Sequence, residues 1–109
     1  MQVLVNTDHN IDGREAMAEG VRQVVEGALR HFSDHITRVE VHISDQNGAK
    51  SGPDDKRCVM EARLEGRPPI AVTHDGPTVE SVVAGAADNL VKRIEGVLGR
   101  AARSHGSRE

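Results

Sequence analysis

The sequence predicts an α+β fold, a β-α-β-β-β-α two-layer sandwich in which two helices pack on one face of a four-stranded, mostly antiparallel sheet. Two segments repeat apolar residues every three or four positions, the period of a helix with one buried side. Other segments alternate apolar and polar residues, the period of a half-buried strand. Because each element has one apolar side, two layers around a shared core are the simplest arrangement.

The first elements are a short strand and a helix. Residues 2–5 are β-rich, and a polar run ends them. Asp12 is a good N-cap, and Glu15 three residues later completes a capping box. We expect a helix from there to Phe32, closed by Ser33 and Asp34. Its apolar stripe comprises Met17, Val21, Val24, Val25, Ala28 and Phe32.

From Ile36 the apolar period changes to two, which predicts a second strand. Val39, Val41 and Ile43 then share its buried side. Residues 44–55 collect Ser, Asp, Asn, Gly and Pro, a composition typical of a long mobile connection.

Two further strands follow this connection. The inward side of the third strand is predicted to hold Cys58, Met60, Ala62 and Leu64. After a turn at Glu65 and Gly66, residues 67–74 predict a fourth strand. Pro68 and Pro69 lack amide donors, which places the start of this strand at a sheet edge or a bulge.

Residues 77–103 predict one long helix, with Asp75 or Thr78 as its cap and Pro77 in its first turn. Its stripe comprises Val79, Val82, Val83, Ala86, Leu90, Ile94 and Val97.

Length and composition limit the possible classes. A chain of 109 residues predicts one domain, placed at residues 1–103 with a flexible tail at 104–109. The single cysteine excludes an internal disulfide and argues against a cysteine-rich zinc site. An aromatic content of 1% removes base-stacking platforms. No segment reads as a signal peptide or membrane span, so we expect a cytoplasmic protein that does not engage membranes.

The basic charge is concentrated near the carboxyl end. The chain has a net charge of −3, yet residues 89–108 hold five basic residues against Glu95 alone. Lys and Arg on one helix face neutralise nucleic-acid phosphates. The alternative is an ordinary solvated face whose cations complement the helix dipole near its carboxyl end. The candidate RNA contacts on this helix are Lys92, Arg93, Arg100 and Arg103.

No pattern predicts catalysis or a metal site. His31 and His35 have a spacing that zinc sites use, but Ser33 and Asp34 end the helix between them and no third ligand is evident. Cys58 alternates with core residues, so it reads as a small core side chain. Phosphate-binding loops, dinucleotide fingerprints and nucleophile elbows are absent from the sequence. We therefore expect no enzyme activity, no cofactor and no small-molecule substrate.

Two runs resemble a known family. HFSDHITRVEVHI at residues 31–43 and DNLVKRIE at residues 88–95 resemble the ribosome hibernation-promoting factors, also known as ribosome-associated inhibitor, protein Y or sigma-54 modulation protein. The resemblance covers roughly residues 2–103 in the same element order. Because the sequence stops soon after Arg103, we expect the short form of the family, without the additional carboxyl-terminal dimerisation domain. We also expect a monomer off the ribosome.

The resemblance also implies a function and a site. It implies a protein that lodges in the mRNA and tRNA channel of the small ribosomal subunit and silences idle ribosomes in nutrient-limited, stationary-phase cells. Ribosomal RNA would contact the basic half of the last helix, with Arg22 and Arg30 on the first helix as weaker candidates. The alternative is a divergent member of the fold that binds a protein through the exposed sheet face or the long connection, without ribosome binding.

Overall fold

The computed structural model describes residues 1–7, 14–45 and 56–106. The predicted cap Asp12 and most of the predicted connection 44–55 lie outside the described residues. The element order is the predicted one. The elements are β1 (Gln2–Thr7), α1 (Arg14–Ala28), a 3₁₀ turn (Arg30–Phe32), β2 (Ile36–Asp45), β3 (Lys56–Leu64), β4 (Ile70–Gly76) and α2 (Val79–Gly106).

The four strands form one mixed sheet in the order β1-β2-β3-β4. β1 pairs with β2 in parallel, whereas the β2–β3 and β3–β4 pairs are antiparallel. In this register Val41 lies opposite Met60, and Met60 lies opposite Val72. Because side chains alternate along a strand, this alignment collects the apolar side chains on one face.

Both helices cover that apolar face. α1 packs on β1, and α2 packs on β3 and β4. The predicted inward residues of β2 and β3 are buried, as are five of the seven predicted stripe residues of α2, while Val79 and Val97 are partly buried against the core. The predicted α+β sandwich is therefore confirmed.

The end of α1 differs from the prediction. The helix stops at Ala28, and the chain continues as a 3₁₀ turn that carries Arg30. Leu29, which was not assigned to the stripe, is fully buried, whereas Val24 is 47% exposed. Residues in a helix are about 100° apart, so Val24 lies at the edge of the stripe through Val21 and Val25. Leu29 reaches the core where the α-helix ends.

The start of α2 selects one of the two predicted caps. The Ser81 backbone N–H donates to Thr78 Oγ1 at 3.0 Å, and the Thr78 N–H donates to Ser81 Oγ at 3.2 Å. Thr78 is thus the N-cap in a reciprocal capping arrangement. Pro77 precedes the cap and does not lie in the first turn, because the chain becomes helical only at Val79.

The fourth strand is an edge strand, one of the two placements that the sequence left open, but its predicted start at residue 67 is wrong. It begins at Ile70, after Pro68 and Pro69, and extends to Gly76 instead of ending at His74. Gly66, at φ 72°, supplies the left-handed residue that the β3–β4 turn requires.

At the carboxyl end, α2 continues three residues beyond the predicted domain boundary at 103. The division into a domain and a tail stays a prediction.

Candidate nucleic-acid interface

Lys92 and Arg93 line an open groove between α2 and the edge strand β4. The groove has a volume of about 420 Å³, and its other lining residues are Val72 and Thr73 of β4 and Asn89 of α2. Both cationic residues are exposed. We call this feature the β4 groove.

The helical period places these side chains beside β4. Leu90 and Ile94 are fully buried and define the side of α2 that faces the sheet. Asn89, Lys92 and Arg93 all line the β4 groove. Since residues three and four apart are neighbours on a helix, Asn89 is adjacent to both cations. The groove therefore combines two positive charges with a neutral amide.

The two cations differ in their ion pairs. Lys92 Nζ lies 3.2 Å from Asp88 Oδ2, and both side chains are mostly exposed, at 70% and 64%. An exposed pair of this kind contributes little to stability, so the ammonium is available to another anion. Within the described residues, Arg93 forms no ion pair or side-chain hydrogen bond. A phosphate at the β4 groove would thus meet one unpaired guanidinium and one weakly paired ammonium.

The remaining predicted contacts do not gather at this groove. Arg22 forms an ion pair with Glu19 on α1, and Arg30 is exposed on the 3₁₀ turn. Neither residue lines the β4 groove. Arg100 and Arg103 belong to α2, but their side chains lie outside the described residues. All four remain predictions.

Asn89 and Thr73 are lining residues that the sequence reasoning missed. Asn89 could have been found, because it lies three and four positions before the two cations on the same helix. Thr73 had no such signal. Its place beside α2 depends on the sheet order and on β4 being the edge strand.

The arginines on the outer face of the sheet are already paired with carboxylates. Arg57 donates from Nε to Asp75 Oδ1 at 2.8 Å and from a terminal nitrogen to Asp75 Oδ2 at 3.2 Å. These hydrogen bonds lower the pKa of Asp75. Arg38 Nη2 lies 3.0 Å from Glu40 Oε2 on the same strand. This face therefore offers less uncompensated positive charge than the β4 groove.

The candidate metal and nucleophile residues show no constellation for chemistry. Within the described ranges, no three His, Cys, Asp or Glu side chains lie close enough to hold a metal ion. Cys58 is fully buried, and this burial raises the pKa of its thiol to about 12, which disfavours the reactive thiolate. No helix in the described part of the chain is long and apolar enough to cross a membrane.

Comparison with solved structures identifies proteins with a similar fold. The N-terminal domain of Thermus thermophilus Protein Y superposes with a TM-score of 0.70 at 16% identity, covering 89% of this chain and 99% of that one. A ribosomal subunit interface protein from Coxiella burnetii gives a TM-score of 0.69 at 14% identity, covering 91% and 99%. At these identities the likeness shows the fold alone.

The family assignment comes from the sequence. A search of the curated proteins gives no match. The sequence pattern of the family described as "Sigma 54 modulation protein / S30EA ribosomal protein" matches residues 4–101, nearly the whole chain. The resemblance seen in the two sequence runs is thus confirmed, and the chain belongs to the sigma-54 modulation protein / S30EA ribosomal protein family.

Proposed function

We propose that this protein is a ribosome-associated translation inhibitor, a hibernation factor that binds small-subunit ribosomal RNA in the mRNA and tRNA channel and silences idle ribosomes. The observation that carries the proposal is the exposed pair Lys92 and Arg93 at the β4 groove. Family membership, with a name that refers to a ribosomal protein, supports the ribosome as the partner.

The chemistry of the groove suits an RNA backbone. Lys and Arg neutralise phosphates and release condensed counterions, a term that is largely independent of sequence. The Asn89 amide can donate a hydrogen bond to a phosphate oxygen or a ribose hydroxyl. With Phe32 as the only aromatic residue, stacking on aromatic rings contributes little. We therefore expect recognition of RNA shape and backbone, with little dependence on base identity.

The length of α2 argues against the alternative that Lys92 and Arg93 only complement the helix dipole near its carboxyl end. Charges complement a helix dipole only within the last turn. α2 continues to Gly106, so Lys92 and Arg93 lie more than three turns before its end. Their charge has no strong role in stabilising the helix end, which favours a role in binding.

In the cell we expect a cytoplasmic protein that acts under nutrient limitation and in stationary phase. We also expect it to be monomeric off the ribosome and to need no cofactor or small-molecule substrate. A non-catalytic blocker requires only occupancy of the channel, which is consistent with a small basic surface on a rigid sandwich.

Co-sedimentation with vacant ribosomes and isolated subunits, at two salt concentrations, tests the proposal. We expect small-subunit binding that weakens with salt and is lost in Lys92→Glu/Arg93→Glu. Loss of two phosphate contacts in a milder Lys92→Gln/Arg93→Gln variant reduces the slope of log affinity against log salt by about 2.

Arg63→Glu/Arg67→Glu is the matched control, because it makes the same change in net charge at two exposed residues that do not line the β4 groove and are not candidate RNA contacts. It should retain most of the binding. Absence of binding by the folded wild-type protein at low salt contradicts the proposed function. Equal losses in both charge-reversal variants contradict the assignment of the β4 groove.

A further inference from the structure

A second groove lies on the opposite flank of α2, between α2 and α1. We call it the interhelical groove. Its volume is about 430 Å³. Its lining comes from the middle of α1 and the first two turns of α2, namely Met17, Gly20, Val21, Val24, Val79, Glu80, Val83 and Ala84.

The interhelical groove is apolar and open. Val24 is 47% exposed, and Met17 and Val79 are only partly buried against the core. A Cβ atom built on Gly20 would meet no atom within 4 Å, so the rim of α1 is bare backbone at that point. An apolar side chain could therefore enter without displacing protein atoms, and its burial would be favourable.

The charge around the groove is acidic. Glu80 lines it and, within the described residues, forms no ion pair or side-chain hydrogen bond. Glu80 is the charged residue among those that line the groove, and the whole chain carries a net charge of −3. Such a surface repels an RNA backbone and attracts a basic partner.

We infer that the interhelical groove binds a short basic segment of a partner protein. An apolar side chain of that segment occupies the groove, and a neighbouring Lys or Arg pairs with Glu80. Charge complementarity favours this occupant, because a basic segment can pair with the Glu80 carboxylate and is attracted by the net negative charge of the chain. The contact is separate from the β4 groove and does not depend on the proposed RNA binding.

The first test uses a fluorescein-labelled peptide, Lys-Arg-Leu-Leu-Arg-Lys, and measures anisotropy with the full-length protein. Two control peptides separate the contributions: Lys-Arg-Ser-Ser-Arg-Lys lacks the apolar anchor, and Glu-Glu-Leu-Leu-Glu-Glu reverses the charge. We expect saturable binding of the first peptide, with binding of each control at least about tenfold weaker, the equivalent of 1.4 kcal/mol. Equal binding of all three peptides, or no binding of the first, overturns the inference.

Two glycines of α1 provide a matched pair of variants. Gly20 lines the groove, whereas Gly27 does not, and an added Cβ meets no atom within 4 Å at either position. Gly20→Leu fills the groove and should lower peptide affinity at least about tenfold, while Gly27→Leu should leave it within about twofold. Circular dichroism confirms that both variants fold.

Further variants test the charge and the identity of the occupant. Glu80→Lys should weaken binding of the basic peptide about tenfold, and Lys92→Glu/Arg93→Glu should leave it intact. The inference fails if Gly20→Leu binds the peptide as well as Gly27→Leu does. It also fails if the protein self-associates in sedimentation equilibrium and Gly20→Leu alone abolishes this, because the occupant is then a second copy.

Discussion

The two flanks of α2 differ in chemistry although one helix provides both. Towards α1, the helix contributes Val79, Glu80 and Ala84 to an apolar groove with one carboxylate in its lining. Towards β4, it contributes Asn89, Lys92 and Arg93 to a groove that carries two positive charges. The fully buried residues Leu90 and Ile94 form the side between them. A buried stripe thus fixes the position of a helix, while its two borders remain free to acquire different partners.

The largest expected effect is on the free energy of unfolding, from a substitution in the buried side of α2 that lies between the two flanks. Leu90 is fully buried on α2. Leu90→Ala leaves a cavity under the helix and should lower the free energy of unfolding by about 2–5 kcal/mol. Urea denaturation followed by circular dichroism measures the loss. A loss below about 1 kcal/mol would show that the flanks do not share a tightly packed support.

A smaller change addresses the amino-terminal end of α2, which belongs to the interhelical groove. Thr78→Ala removes the acceptor for the Ser81 N–H and should cost about 1 kcal/mol of unfolding free energy. Thr78→Ser is the control, since its hydroxyl can keep the bond. In hydrogen exchange, protection should fall first in the turn after Thr78 and least around Lys92. Uniform loss of protection would contradict independent behaviour of the two flanks.

A pair of Gly→Ala variants compares the packing of the two flanks directly. Gly20 faces open space, so Gly20→Ala should stabilise the protein by up to about 1 kcal/mol through helix propensity. A Cβ on Gly85 would overlap the ring of His74 on β4. Gly85→Ala must displace that partly buried ring, so the same propensity gain is offset and no net stabilisation results. Equal stabilisation in thermal or urea unfolding would contradict this difference.

The smallest expected effect is on stability, and it comes from the ion pair between Asp75 of β4 and Arg57 of β3. Hydrogen bonds from Arg57 lower the pKa of Asp75 below its ordinary value of 3.8 in the folded protein. A group whose folded pKa is depressed stabilises the fold above its unfolded pKa, and this contribution is lost as pH falls through the folded pKa. The stability difference between wild type and Asp75→Asn should therefore be constant near neutral pH and disappear in acid. Urea midpoints measured from pH 7 downward test this, and a difference that grows in acid would contradict it.

The sequence predicted what depends on periodicity. The alternation of Val39, Val41 and Ile43 and the spacing of Leu90 and Ile94 follow directly from one-sided burial. Periodicity failed at Val24 and Leu29, because the helix ended four residues before the predicted position. A helix end depends on tertiary packing as much as on local signals.

The candidate site was predicted only in part. The exposure of Lys92 and Arg93 follows from their place beside the buried stripe. Thr73 depends on which strand forms the sheet edge, and a strand order is a property of the whole fold. The interhelical groove depends on how closely α1 approaches α2, which the sequence does not reveal. Arg22 was grouped with the last-helix cations by resemblance, and the structure leaves it on another surface, paired with Glu19.

Because Cys58 is buried, the rate at which its thiol is labelled can report how often the folded protein opens. The thiol lies on a central strand beneath the helix layer, and a pKa of about 12 leaves almost no thiolate at neutral pH. A thiol reagent therefore reacts only when the sheet opens, and the labelling rate reports that opening. When labelling is limited by the opening equilibrium, any ligand that binds only the closed protein slows the reaction by the factor 1 + [L]/Kd. The affinities of RNA at one flank of α2 and of a basic peptide at the other can thus be compared in the same labelling assay, without a label on either ligand.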